Sequence, residues 1–452
     1  MSARVLASIL VCGLLGATTI AQSALKPIQF TDTRLSNGLR VIISEDHYAP
    51  VFAIAVSYGV GSKDERAGRT GFAHLFEHMM FKGSENVGSG EHFFLVFNYG
   101  GSMNGTTNTD RTIYYEILPK NQLDLGLFLE ADRMKSLAIT KENLDNQRNA
   151  VQEERRLRLD NQPYGKSQER FNEMAYDNFA YKHSVIGSME DLNAATVNDV
   201  ADFFKTYYAP NNAVLSLVGD LDAKTTLAKV EKYFGSIPRQ AAPKPVDLSE
   251  QELKAERRES MTDPLARVPQ INMGFRIPPA THADWPALSV LAQILGSGES
   301  SRLYQAVVKE KELCTGTGVN SGARMGPALL QVQCQVRAGK DIKEAEAAMN
   351  EVIGAAANVP VTEQELQRVR ASARRSDVGM RESVLNRALT LADNAVLYND
   401  PSRINTLSAR LTAVRLADVQ RVARTYLRPE NRVVMHTLPG AATPPAPPTQ
   451  SR

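Results

Sequence analysis

The stretch His74-Leu75-Phe76-Glu77-His78 is the part of the chain around which the rest is organised. Two histidines four positions apart lie about one helical turn apart on the same face, so both imidazoles can bind one metal ion. Glu77 can point into the same space, where a carboxylate can take a proton from a water molecule at the metal. The order reverses the His-Glu-x-x-His motif that binds zinc. The pattern predicts a helical metal site with a base beside it.

The alternative to a metal site is a pair of surface histidines with a solvated glutamate. The neighbouring residues disfavour it, because Gly71-Phe72-Ala73 precedes the motif and Met79-Met80-Phe81 follows it. A helix with so much apolar surface is at least partly buried, and buried histidines need partners.

The composition is that of a soluble globular protein. The chain has 452 residues, 43% of them hydrophobic, and a net charge of +2. These values suit two or three domains and exclude a strongly basic nucleic-acid-binding protein. No segment beyond the N-terminus has an apolar run long enough to span a bilayer. We expect neither a nucleic acid partner nor a membrane span.

Residues 1–23 have the pattern of a secretory signal peptide, which predicts a periplasmic protein. A positive start at Arg4 precedes an apolar stretch, and small residues around Ala21 offer a cleavage site. Export would place Cys314 and Cys334 in an oxidising compartment. A symmetric hairpin turning at Arg324 would bring the two cysteines face to face and allow a disulfide. Two buried thiols are the alternative.

The rest of the chain is interpreted as an α+β protein of two similar lobes, each a mainly antiparallel sheet covered by helices. The predicted divisions are a first lobe at 24–237, a linker rich in proline, alanine and charge at 238–262, a second lobe at 263–438 and a disordered Pro-rich tail at 439–452. The second-lobe helix that corresponds to the metal helix carries no ligand. The chemistry is therefore expected in the first lobe only.

The third metal ligand is predicted on a helix at residues 141–159, since a catalytic zinc commonly takes three protein ligands. Four residues of this helix share one face: Leu144, Gln147, Val151 and Glu154. Glu153 points about a quarter-turn away. The other interpretation of Glu154 is a salt bridge with the arginines that follow it, and the spacing leaves both open.

A strand predicted from Ser102 has little side-chain bulk in the run Asn104-Gly105-Thr106-Thr107. Such a strand lets another backbone approach closely. An ordinary weak edge strand would have the same composition, so the sequence alone does not separate the two.

These features together resemble the M16 metallopeptidases, the family of pitrilysin, insulysin and the mitochondrial processing peptidase. The resemblance is carried by the histidine motif, Val151-Gln152-Glu153-Glu154-Arg155-Arg156, Tyr207-Tyr208-Ala209-Pro210-Asn211-Asn212 and, in the second lobe, Gly298-Glu299-Ser300-Ser301-Arg302-Leu303-Tyr304. The two-lobe length is similar to that of the short subfamily, M16B. The resemblance implies two homologous α/β-roll lobes, the second of them inactive.

The resemblance also implies roles for the residues of the metal site. One Zn²⁺ per chain would be bound by His74, His78 and Glu154, with Glu77 as the general base. Gln147 stands where relatives often have a second glutamate, seven residues before the third ligand. An amide there can hydrogen-bond but supplies no charge, so its effect on the ligands would differ.

Substrate binding is implied at the strand of Asn104 and Gly105, where an extended peptide would add as a further strand. Active relatives use an arginine and a tyrosine from a ligand-free lobe, but the corresponding residues here are Val308 and Thr315. We therefore expect a homologous, metal-free partner subunit that supplies the arginine and the tyrosine.

The alternative to that partner is that Arg302 or Tyr304 substitutes, within this chain or in a homodimer. The implied activity is that of a zinc metalloendopeptidase that hydrolyses peptides or unfolded polypeptide segments in the periplasm. The competing interpretation is a non-catalytic or structural subunit of a larger M16-type complex. A purely structural zinc site is disfavoured because Glu77 would then be an unexplained buried charge.

Overall fold

The computed structural model describes residues 25–440. The predicted signal peptide and residues 441–452 of the predicted tail lie outside the described residues. Between them the chain forms two sheets covered by helices, which confirms the predicted α+β fold of two lobes. No helix in this range is both long and apolar enough to cross a membrane.

The first sheet has six strands in the order β1-β2-β6-β3-β5-β4, and it is antiparallel except where β2 pairs with β6. The strands are Thr31–Arg34 (β1), Arg40–Glu45 (β2), Val51–Tyr58 (β3), Ser102–Thr107 (β4), Thr112–Pro119 (β5) and Ala213–Gly219 (β6). The helices in this part of the chain are Phe72–Met79 (α1), Glu91–Asn98 (α2), Leu123–Lys135 (α3), Lys141–Arg155 (α4), Gly165–Ala175 (α5), Phe179–Lys182 (α6), Met189–Asn193 (α7), Val197–Tyr207 (α8) and Ala223–Phe234 (α9).

The second sheet has five strands in the order β7-β11-β8-β10-β9, with β7 and β11 parallel. The strands are Arg257–Asp263 (β7), Gln270–Ile277 (β8), Cys314–Ser321 (β9), Ala328–Val336 (β10) and Arg432–Pro439 (β11). The helices are Trp285–Gly296 (α10), Ile342–Asn358 (α11), Glu363–Glu382 (α12), Val384–Tyr398 (α13), Leu407–Thr412 (α14) and Leu416–Tyr426 (α15). The predicted linker is wrong over its last residues, because β7 begins at Arg257 and takes its backbone hydrogen bonds from β11.

Each lobe contributes a helix that covers the sheet of the other lobe. Leu391 and Ala392 of α13 pack against Ala53 and Ala55 of β3, on the face of the first sheet opposite α1. In the other direction, Phe171 of α5 packs in one buried cluster with residues of β10 and β11. β3 is consequently buried on both faces, which accounts for its nearly continuous apolar sequence.

The structure joins Cys314 and Cys334 in a disulfide between β9 and β10, with 6.1 Å between their Cα atoms. The predicted face-to-face register is nevertheless wrong. Cys314 lies opposite Val336, and Cys334 lies opposite Thr317. Leu330 pairs with Ser321 and Cys334 with Thr317, so the hairpin is centred between Met325 and Gly326 and not at Arg324. With one further irregularity between Gln335 and Val336, the two cysteines meet along a diagonal.

Candidate metal centre

The helix that carries both histidines, α1, is held at its N-terminus by a buried carboxylate. Gly71 precedes the helix with a φ of 83°, in the left-handed region that favours glycine. The backbone N–H groups of Gly71 and Ala73 donate to the two oxygens of Glu65, at 2.8 and 2.7 Å. A carboxylate at this end also interacts favourably with the helix dipole. Glu65 was not predicted, although an acidic residue shortly before a helix start is a usable signal.

The structure brings both histidines to the carboxylate of Glu154. His78 Nε2 lies 3.2 Å from Glu154 Oε2, and His74 Nε2 lies 3.7 Å from Glu154 Oε1. One ligand atom from each of the three residues lies within 4.8 Å of the others. Glu154 also forms the salt bridge that the sequence left open, with Arg158 at 2.6 Å. Glu153 instead forms an exposed ion pair with Arg156.

These three side chains fit a zinc ion by the chemistry of their donors. Two imidazole nitrogens and one carboxylate oxygen form a common ligand set of catalytic zinc sites. Burial is the largest of the effects that lower the pKa of His74 to about 3, and the nearby charges of His78 and Arg158 act in the same direction. The His74 ring is therefore neutral, which is the form that binds metal.

Glu77 lies on the same helix, half-buried beside strand β4. Burial raises its pKa above the ordinary value, and a hydrogen bond from the Thr107 side chain opposes that shift. The carboxylate is thus held next to the histidines and close to an exposed strand. This is the placement that the motif predicted for a general base.

Strand β4, which contains Asn104 and Gly105, pairs with β5 on one side and forms the end of the first sheet. A Cβ atom on Gly105 would lie 3.1 Å from Glu77 Cγ, 3.2 Å from Tyr114 Cδ1 and 3.4 Å from Phe81 Cε2. Glycine at this position lets the strand pass directly against the side chain of Glu77. Asn104 is exposed, and its side-chain oxygen accepts a hydrogen bond from the Gly105 N–H.

The substitution Gly105→Ala is expected to lower peptide hydrolysis by roughly tenfold without loss of zinc, because the added methyl group lies 3.1 Å from Glu77 Cγ and forces that side chain to shift. The measurement is the hydrolysis rate of the zinc-loaded variant, with metal content determined on the same sample. Gly318→Ala in edge strand β9 is the matched control, since a Cβ there meets nothing within 4 Å. Equal rates for the two variants would contradict the close-approach argument.

Gln147 is buried on the face of α4 that carries Glu154. Its Nε2 donates to Asn146 Oδ1. Among the described residues, no hydrogen bond joins Gln147 to the histidines or to Glu154, so its effect on the ligands stays a prediction.

The residues considered for substrate binding in the second lobe are engaged elsewhere. Val308 packs against the hydrophobic core of that lobe. The hydroxyl of Thr315 donates to the backbone oxygen of Gln335 at 3.2 Å. Arg302 donates to both oxygens of Glu365, at 2.6 and 2.9 Å, which disfavours it as a substitute for the missing arginine.

Two family models match most of the chain between residues 40 and 373. The model described as "Insulinase (Peptidase family M16)" matches residues 40–188, which include the metal centre. The model described as "Peptidase M16 inactive domain" matches residues 194–373. The chain belongs to peptidase family M16. The second match begins inside the first lobe, before β6, so its start does not coincide with a boundary between the sheets.

Relatives and solved structures agree with this membership. The zinc protease PqqE of Helicobacter pylori is 29% identical over 421 residues, which cover 92% of this chain and 93% of that protein. The crystal structure of a protease from Helicobacter pylori has a TM-score of 0.87 at 26% identity and covers 91% of this chain and 100% of that one. The first half of the periplasmic protease PqqL from Escherichia coli has the same fold, with a TM-score of 0.75 at 19% identity over 92% of this chain and 95% of that one. PqqE and other relatives of this M16 chain are named as zinc proteases.

Proposed function

We propose that this protein is a zinc-dependent endopeptidase that hydrolyses peptides or unfolded polypeptide segments, with Glu77 as the general base. The observation that supports it most is the meeting of His74, His78 and Glu154 within 4.8 Å, beside a half-buried glutamate on the same helix. A purely structural metal site would have no use for that carboxylate.

The chain's own residues supply the remaining parts of the reaction. Zinc bound by the three ligands would act as a Lewis acid that polarises a carbonyl and lowers the pKa of water toward neutrality. Strand β4 offers backbone hydrogen bonds to an extended peptide, and Gly105 keeps that strand against Glu77. Glu77 takes a proton from the attacking water and returns it to the leaving amine.

A periplasmic location is part of this proposal. It is supported by the signal-peptide pattern of residues 1–23 and by the disulfide between Cys314 and Cys334, which is typical of an oxidising compartment. The name of the structural relative PqqL points to the same compartment.

Cleavage of an unstructured peptide with and without a chelator tests the proposed activity. We expect cleavage by the zinc-loaded protein, its loss on chelation and its return when Zn²⁺ is added back. The readout is the appearance of internal-bond products by mass spectrometry. A zinc-loaded chain that cleaves no peptide, alone or with a homologue, would instead support the non-catalytic subunit.

We further propose that full activity needs a homologous, metal-free subunit that supplies an arginine and a tyrosine. Val308 has no hydrogen-bonding side chain, and the hydroxyl of Thr315 is bound to the backbone. A homodimer would repeat this deficit. Without donors for the peptide carbonyl, we expect hydrolysis to be at least about a hundredfold slower than with the partner. Titrating the purified chain with a co-exported M16 homologue measures this, and full activity from the chain alone would contradict it.

A further inference from the structure

Helix α2 and the residue that follows it carry four exposed aromatic side chains next to the candidate metal centre. Phe93, Phe94, Phe97 and Tyr99 are 36%, 63%, 54% and 49% exposed. The other large hydrophobic side chains exposed within residues 25–440 are scattered along the chain. A dense group of this kind on a folded protein marks a binding surface more often than chance exposure does. We name these four residues the aromatic surface.

The aromatic side chains are exposed because they lie on the outer face of α2, and not because the end of the helix is frayed. α2 buries His92 and Val96, which lie one turn apart on its inner side. Phe93, Phe94 and Phe97 therefore lie on the side that a surface helix normally fills with polar residues. The sequence of α2 is apolar on both sides, although the fold uses only one side for its core.

The aromatic surface is continuous with the residues around the proposed base. Phe81, which would contact a Cβ on Gly105, has its ring centroid 4.8 Å from that of Phe93. The Phe93 ring lies 6.2 Å from the Phe97 ring in a stacked orientation. The rings of Phe81, Phe93 and Phe97 thus form a continuous path from beside Glu77 to the exposed surface. The two centroid distances together equal the length of about three residues of an extended peptide, at roughly 3.3 Å each.

We propose that the aromatic surface binds a large apolar or aromatic side chain of the peptide substrate, within about three residues of the bond that is cleaved. This inference rests on the proposed function, because the peptide is the ligand that strand β4 would hold beside Phe81. Aromatic rings offer such a side chain a large contact area and edge or stacked packing. Continuity with β4 and Glu77 favours the peptide over a second protein as the occupant.

The test compares two fluorescent, unstructured peptides on the zinc-loaded Glu77→Gln protein, which would hold a peptide without turning it over. One peptide carries phenylalanine at every third position, and the other carries serine there. We expect the protein to bind the phenylalanine peptide about tenfold more tightly by fluorescence anisotropy. Adding Phe94→Ser and Phe97→Ser should remove most of this preference. Tyr48→Ser is the matched control, because Tyr48 is 97% exposed in the turn before β3.

A double variant that keeps the tenfold preference would overturn the proposal. If the double variant also changes from a dimer to a monomer in sedimentation while the preference remains, the surface is a contact between subunits. Loss of the preference only in the double variant, with unchanged thermal melting, supports the peptide site. If wild-type protein prefers the phenylalanine peptide but cleaves neither peptide, the proposed activity is wrong and the proposed binding site is supported.

Discussion

Replacing Glu77 with glutamine is expected to lower peptide hydrolysis on the order of a thousandfold while zinc stays bound. Glutamine has nearly the shape of glutamate but cannot accept the proton of the attacking water. His74, His78 and Glu154 are unchanged in this variant, so the metal site itself persists. The measurement pairs kcat/KM on an unstructured peptide with the zinc content of the same preparation.

Glu153→Gln is the matched control for the general base. It removes one carboxylate from exposed helix surface, where Glu153 pairs only with Arg156 in the contacts that the structure describes. Surface ion pairs of this kind contribute little to stability, so we expect wild-type hydrolysis and zinc content. Normal turnover by Glu77→Gln would refute the mechanism.

Replacing Glu154 with glutamine is expected to weaken zinc binding by at least about a hundredfold and to abolish hydrolysis with it. The neutral amide is a poorer zinc ligand than the carboxylate that lies 3.2 Å from His78 Nε2. His74→Ala and His78→Ala should lose zinc in the same way. Competition with a chromogenic chelator measures the affinity directly and does not depend on activity.

Glu153→Gln also controls this experiment, because it makes the same chemical change one residue earlier on α4. If Glu153→Gln loses zinc and Glu154→Gln retains it, the assignment of the third ligand is wrong. Circular dichroism melting should be recorded for each variant, since Glu154 also pairs with Arg158 at 2.6 Å and contributes to the end of α4.

The local elements around the metal centre could be predicted because each depends on a short stretch of sequence. The spacing of His74 and His78 already places both on one helical face. The apolar positions of α4 indicated which of two adjacent glutamates faces inward, and the structure places Glu154 beside the histidines. The register of the β9–β10 hairpin was predicted wrongly because the turn is centred between Met325 and Gly326 and not at Arg324, and the sequence of the loop does not mark its centre.

Contacts between distant segments could not be predicted in the same way. The sequence of β3 shows a strand buried on both faces but does not say which helix covers the outer one. α13, more than three hundred residues later, fills that place with Leu391 and Ala392. Likewise, the apolar sequence of α2 does not show that Phe94 and Phe97 remain exposed.

The sequence by itself therefore determined the histidine pair, the glutamate between them and the two-lobe α+β class. Only the tertiary structure decided that α13 covers the first sheet and α5 the second. It also decided that Gly105 lies against Glu77 and that the aromatic surface continues from Phe81. The physical reason is that backbone periodicity sets which face of an element is apolar. The hydrophobic effect is non-directional and does not choose the partner for that face, so the choice depends on how all the elements pack together.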